Sequence, residues 1–458
     1  MKLRRKTRRS YEIDMCNGPL FGKLIIFAVP LVLSGILQLL FNAADIIVVG
    51  QFAGSKYMAA VGSTSSLINL LVNMFIGFSV GANVLIARFY SSESRKDLEE
   101  TVHTTMLLAV ISGFFLIVAG IGLAAPVLRL MATPDEVLPL AVLYMRIYFL
   151  GMPASLVYNF GSAILRAVGD TRRPLYFLFV GGTLNCILNL IFVIVFHLDV
   201  AGVALSTVIS QFLSAGLIVQ CLVRSDTHYR LRLKKLRLVP DKLKAILRIG
   251  FPAGLQGCIF SISNVLIQSS VNAFGAVAMA GNTASSNIEG FIYTSMNAIY
   301  QTALSFTSQN FGVRNYRRMT RILLYCLGLV AFIGIFLGNG AVLIGNQLLS
   351  IYDRNPEVVQ YGLHRLRIIG RTYFLCGLMD TLVGGLRGMG YSVVPMIVSL
   401  TGACAFRVFW IFTVFAAARS LDTLYISYPI SWTITAAVHL ICYLVIRYRM
   451  RKQEGAPA

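Results

Sequence analysis

The chain repeats itself at a constant offset of 221 residues. Leu165-Arg166-x-x-Gly169-x4-Pro174 returns as Leu386-Arg387-x-x-Gly390-x4-Pro395. Glu136-Val137 returns as Glu357-Val358, Arg146-Ile147 as Arg367-Ile368, Met58-Ala59 as Met279-Ala280, and Gly181 as Gly402. One offset links pairs scattered over most of each half, so whatever this sequence folds into is built twice. The repeating unit is also largely apolar over lengths that cross a bilayer. A duplicated bundle of membrane helices is the construction of many secondary transporters.

Composition supports the bilayer reading. The chain is 57% hydrophobic and 13% charged, with a mean hydropathy of +0.73, against about 25% charged residues in soluble domains. Apolar runs of about 20 residues recur along its length. The pattern predicts spans at 24–50, 58–90, 101–131, 137–165, 174–197 and 199–223, then 249–274, 280–311, 320–350, 357–386, 392–418 and 422–446. The expected fold is an all-α polytopic membrane protein of twelve transmembrane helices in two six-helix lobes. An even number of spans per repeat returns the chain to its starting side, so a pseudo-two-fold axis along the membrane normal should relate the lobes. The predicted parts are a basic tail (1–22), an N-lobe (23–223), a polar linker (224–248), a C-lobe (249–446) and a second tail (447–458). No A-x-A-like site follows the first apolar run, so a cleaved leader is not expected.

The formal charge of +21 could suggest a nucleic-acid partner, but its distribution argues for topology. If the N-terminus is inside, the cytoplasmic segments and span ends hold 31 of the 40 Lys and Arg, and the outer loops hold four, Lys56, Arg129, Arg354 and Arg419. This is the positive-inside asymmetry, with both termini in the cytoplasm. The partner it implies is the lipid bilayer, with no nucleic acid. In the linker, Leu231, Leu233, Leu236 and Leu238 alternate with basic residues, which suits either the headgroup region or solvent. The eight cysteines stand singly with no C-x-x-C pair, and are expected to pack as small hydrophobes.

Of nineteen carboxylates, only Asp45, Glu289 and Asp380 fall well inside predicted spans. A charge at mid-bilayer costs about 2.5–3.5 kcal/mol on insertion scales, so such groups face the protein interior or an aqueous path and take part in function. Gln38, Asn42 and Asp45 fall at i, i+4 and i+7, on one helix face. Asn185 and Asn189 share a face of the fifth span, and Asn159 and Thr207 can join them. A hydrogen-bonded helix contact is the alternative reading of each cluster. Arg407 lies in mid-span and needs a counter-charge, which Glu289 or Asp380 can supply. Arg365, Arg367 and Arg371 rotate round the tenth span, and some of them are expected to pair with Glu357 or to reach the outer headgroups. P-loop, G-x-S-x-G and H-E-x-x-H motifs are absent, which argues against an enzyme or an ATP-driven pump.

These residues resemble the multidrug and toxic compound extrusion (MATE) transporters of bacteria. The likeness extends from about Leu20 to about Arg447. It rests on Pro30 with Gln38-x3-Asn42-x2-Asp45-x3-Val49-Gly50, on Asn159 with Leu165-Arg166-Ala-Val-Gly169-Asp170-Thr-Arg-x-Pro174, on Gln309-Asn310-Phe-Gly312, and on Gly377-Leu-Met-Asp380-Thr-Leu-x-Gly384-Gly-Leu-Arg387-Gly-Met-Gly390. The resemblance implies a secondary antiporter of the cytoplasmic membrane. It would export organic, often cationic, compounds such as drugs against Na+ or H+, with no cofactor beyond the coupling ion, and is expected to be a monomer. It further implies a cation site at Asp45, Asn159, Asn185, Asn189 and Thr207, with no metal beyond Na+ at Asp45. At Asn189 that branch carries an Asp, so the site here keeps one carboxylate rather than two. Gln38, Asn42, Glu289, Asp380 and Arg407 are candidates for substrate contact or a second charge site. The alternative is a lipid-linked precursor flippase of the related superfamily, which needs several cationic side chains in its cavity to hold a pyrophosphate.

Overall fold

The computed structural model describes residues 11–131 and 133–454. The basic residues from Lys2 to Arg9, and the last four residues, lie outside this range. Within it the longer helices group into twelve rods, with a short helix at Gly345–Tyr352, a 3-10 turn at Leu233–Lys235 and no strand. The first six are α1 (Leu20–Phe52), α2 (Ser55–Ser91), α3 (Arg95–Leu130), α4 in two pieces (Leu138–Leu150 and Met152–Ala167), α5 (Arg172–Val195) and α6 (Asp199–Val223). The second six are α7 (Pro240–Asn272), α8 (Ala276–Gly312), α9 (Tyr316–Leu343), α10 (Pro356–Arg365 continuing through Leu366–Gly370 to Phe374–Gly388), α11 (Val393–Phe415) and α12 (Leu421–Glu454).

Among the described residues nine rods are long and apolar enough to cross a membrane, and α4 makes ten if its two pieces count as one span. The twelve expected spans therefore stand against nine or ten helices apolar enough to cross. The two that fall short, α8 and α10, carry Asn282, Glu289, Asn297 and Gln301, and Arg365, Arg367, Arg371 and Asp380. The pieces of α4 meet at 48°, where Gly151 precedes Met152-Pro153. A proline there removes a backbone hydrogen bond and crowds the preceding turn. At the matching place in the second repeat α10 is also interrupted, between Gly370 and Phe374.

The repeated Leu-Arg-x-x-Gly motif has a structural cause. Gly169 and Gly390 both adopt left-handed backbone, at φ 99° and 88°, and each ends its helix. In both copies the residue after the glycine donates its N–H to the carbonyl of the motif leucine. Asp170 reaches Leu165 at 2.9 Å, and Tyr391 reaches Leu386 at 3.0 Å. This is the Schellman closure, which suits glycine because it has no Cβ to clash at positive φ. The repeated proline then sits in the first turn of the next helix, where its missing N–H is no loss.

The chain divides into two compact units. Unit 1 takes the chain up to Thr64, Ala82–Leu243 and Gln309–Asn315; unit 2 takes Ser65–Gly81, Lys244–Ser308 and the chain from Tyr316. In unit 1 the segment just before α1 is anchored, with Met15 fully buried. Glu12 accepts hydrogen bonds from the Tyr90 and Tyr229 hydroxyls at 2.8 and 2.6 Å, and the Ile13 N–H donates to the Gly169 carbonyl at 3.2 Å. The linker is strapped to the first turns of α3. Lys242 pairs with Asp97 at 2.5 Å, Lys235 with Glu99 at 2.9 Å and Arg237 with Glu100 at 3.0 Å. Leu231 is buried while Leu233 and Leu238 are exposed, and the linker passes through a single 3-10 turn at Leu233–Lys235, held to α3 by these ion pairs. In unit 2, α2 and α7 approach closely at Gly77 and Gly254. A Cβ on Gly254 would lie 2.3 Å from the Met74 carbonyl oxygen, so only glycine fits this crossing.

Candidate functional site

Two polar clusters lie inside the rods, one in each unit. In unit 1, α1 brings Asp45 against α5 and α6. Pro30 lies within α1, and the Phe27 carbonyl of the same helix accepts a hydrogen bond from Thr171 at 3.0 Å. Beyond the site, α1 and α5 each open into a π-helical turn, Val49–Ala53 and Ile191–Val195. Such widened turns are concentrated at functional positions.

Asn189 is the hub of this cluster. It is fully buried and its two amide hydrogens have two acceptors, an Asp45 carboxylate oxygen and the Asn185 side-chain oxygen, the latter at 3.4 Å. Its own oxygen accepts from the Ser206 hydroxyl. Asn185 in turn donates to the Thr207 hydroxyl at 3.3 Å. Ser206 and Thr207 both bond the Val203 carbonyl, at 2.8 and 2.9 Å. Ser206 thus has one proton and two acceptors in reach, and Asp45 keeps one carboxylate oxygen with no hydrogen-bond partner among the described residues. Tyr144 and Tyr148, stacked with ring centroids 5.9 Å apart, stand close enough to interact with the Asp45 charge.

Of the residues singled out in sequence, the structure joins Asp45, Asn185, Asn189 and Thr207. Asn159 donates to the Ser155 carbonyl of its own helix at 2.9 Å. Gln38 and Asn42 are exposed and make no hydrogen bond among the described residues. Ser206 was not foreseen, since an isolated serine in an apolar span carries no sequence signal.

In unit 2 a cavity of about 700 Å³ is lined by Glu289, Asp380, Arg365, Arg387 and Arg407 amid aromatic side chains, a volume that accommodates a drug-sized molecule. The sequence expectation that Glu289 neutralises Arg407 is not met. Glu289 takes Arg365 instead, in a buried two-pronged pair at 2.8 and 2.9 Å. The planar guanidinium fork of Arg365 matches the carboxylate geometry. Its remaining reach goes to the Asn282 oxygen at 2.6 Å, which also accepts from the Tyr425 hydroxyl at 3.2 Å. Arg365 therefore pairs with Glu289 and not with Glu357. Arg387 donates to the Tyr300 hydroxyl at 2.9 Å and to Gln256 at 2.8 Å, and it is within electrostatic range of Asp380. Asp380 makes no ion pair with Arg407 among the described residues. No group of three or more His, Cys, Asp and Glu among the described residues is placed to hold a metal ion.

Comparison with known proteins agrees with the repeat. The MatE family model matches residues 30–191 and, a second time, residues 252–413. The probable multidrug resistance protein YpnP of Bacillus subtilis (strain 168) is 25% identical over 398 residues, covering 84% of this chain and 86% of that protein. YoeA of the same organism, also named a probable multidrug resistance protein, is 28% identical over 385 residues, 82% of each chain. A structure described as the outward-facing conformation of a multidrug resistance MATE family transporter of the MOP superfamily superposes with a TM-score of 0.90. It is 21% identical and covers 98% of this chain and 100% of that one. At that identity the likeness speaks for the fold.

Proposed function

The chain belongs to the MatE family, and from that membership we propose that it is an ion-coupled antiporter of the bacterial cytoplasmic membrane that exports drug-like organic compounds. In this reading Asp45 is the coupling carboxylate, the two repeats act as six-helix lobes, and both termini are cytoplasmic. The observation that carries it is the buried chain from Asp45 through Asn189 to Ser206, with Asn185 and Thr207 beside it.

The chemistry follows from the hydrogen-bond inventory. With Asp45 ionised, Asn189 turns an N–H to it. When a proton or Na+ neutralises Asp45, the favourable neighbour becomes an oxygen, so the Asn189 amide turns over. Ser206 permits this: it stops donating to Asn189, accepts from it, and directs its proton to the Val203 carbonyl 2.8 Å away. One cation thereby switches the contacts between α1, α5 and α6, with Ser206 keeping Asn189 paired while the Asn189 bond to the Asn185 oxygen is given up. The π-helical turns just beyond the site give the helix ends room to repack. A cation held more tightly in one state than in the other shifts the inward–outward equilibrium by that difference.

The flippase alternative needs several free cations for a pyrophosphate. Two of the three arginines lining the unit 2 cavity are already engaged with protein partners, which leaves too few. The test is substrate efflux by the purified protein in liposomes, with a pH gradient and a Na+ gradient imposed separately. One of them should accelerate uphill movement of ethidium or another organic substrate at least about fivefold over no gradient, the lower end of ordinary coupling energies. Equal rates under both gradients and under none would remove the antiport reading.

A further inference from the structure

Arg407 is the unmatched charge of unit 2. It is 3% exposed, it lines the 700 Å³ cavity, and no carboxylate lies within ion-pair distance of it among the described residues. Its Nε donates to the Ser431 hydroxyl at 2.8 Å, Nη2 is buried with no partner, and Nη1 has none among the described residues. The groups that interact with its charge are neutral: Tyr428, Cys376, Cys404 and Tyr373. The guanidinium lies 4.2 Å from the Tyr428 ring centroid and 5.4 Å from that of Trp432. Cation–π contact steadies the face of the group but leaves its in-plane N–H edge unused. The cavity wall holds three arginines against two carboxylates, and Arg365 and Arg387 have partners.

A buried cation with an unused donor edge is costly unless something completes it. Guanidinium edges match carboxylates two bonds at a time. We propose that the unit 2 cavity recognises organic compounds through an acidic group: an anionic aromatic carboxylate that sits on the free edge of Arg407 while its ring packs by Tyr428 and Trp432. This names a substrate class for the transporter reading and rests on it for its purpose. It adds an acidic class to the organic, often cationic, compounds expected from the sequence.

Binding tests it independently of transport. The chain has two tryptophans, Trp410 and Trp432, and Trp432 lines the cavity. In a Trp410→Phe background, energy transfer from Trp432 to a dansyl group reports occupancy. Three ligands share that ring: dansylglycine (anionic), dansylamide (neutral) and dansylcadaverine (cationic). Measured in nanodiscs of zwitterionic lipid, with protein-free discs subtracted, dansylglycine should bind about tenfold or more tighter than either of the others, as a charge-assisted contact gives. Arg407→Gln should abolish the preference for dansylglycine over dansylamide, while Arg407→Lys should keep part of it. Equal affinities for the three ligands in the unsubstituted cavity would overturn the proposal whether or not the variants fold, as would an anion preference that survives Arg407→Gln. If dansylglycine binds as expected but no gradient drives export, the acid site stands and the antiport reading falls.

Discussion

Asp45→Asn, expressed at the wild-type level in a host lacking its own efflux systems, should reduce export of an organic dye to that of the empty host. The expected loss is at least about tenfold, within the range of ordinary coupling energies. The substitution is nearly isosteric, and the amide can still bond Asn189, so helix contacts survive while the negative charge is lost. A side chain that holds no cation cannot favour one conformation over the other by binding it, however well the protein folds. Asn185→Ala acts through Asn189, and Thr207→Ala through Asn185 in turn, so both should give intermediate losses. Dye efflux from loaded cells, normalised to protein detected in the membrane, is the readout. Wild-type efflux by Asp45→Asn would mean that the cluster is only a helix–helix contact.

The second large effect concerns stability. Glu289→Gln leaves Arg365 charged and buried, with its two-pronged partner gone. Breaking a buried pair from one side typically costs about 3–5 kcal/mol. The purified variant should therefore melt well below the wild type and express poorly. Replacing both members with apolar residues, Glu289→Leu with Arg365→Met, should recover much of the loss, because no unpaired charge remains. If the double variant proves as unstable as Glu289→Gln, the loss comes from the Asn282 and Tyr425 contacts rather than from the ion pair.

The sequence disclosed the helices because bilayer spans and positive-inside charge are properties of long stretches, not of single residues. The repeat disclosed the two-fold construction because its motif marks a backbone event, the left-handed glycine that ends α4 and α10. Asp45 was legible as a rare carboxylate in an apolar run whose counterpart 221 residues on is Leu266, and Asn185 and Asn189 as a helical pair. Ser206 was hidden because serine is ordinary in membrane helices, and its importance lies in a contact across three rods. The partner of Glu289 was misread for a related reason. Arg365 and Arg407 both lie in predicted spans, and only tertiary packing decides which guanidinium meets the carboxylate. Arg365 won because Asn282 and Tyr425 stand ready to complete its fork, and that choice leaves Arg407 open. The anchored segment before α1 was read as part of a tail because its links to Tyr90, Tyr229 and Gly169 join distant parts of the chain.

Whether Asp45 exchanges a cation against substrate is read by following the cation itself. Purified protein in weakly buffered solution is titrated with a transported organic compound while proton release is recorded, and in parallel while bound Na+ is displaced. The wild type should release one kind of cation as substrate binds, and Asp45→Asn should release none while still folding. Release of the same amount by Asp45→Asn, or no release of either cation by the wild type, would contradict the account.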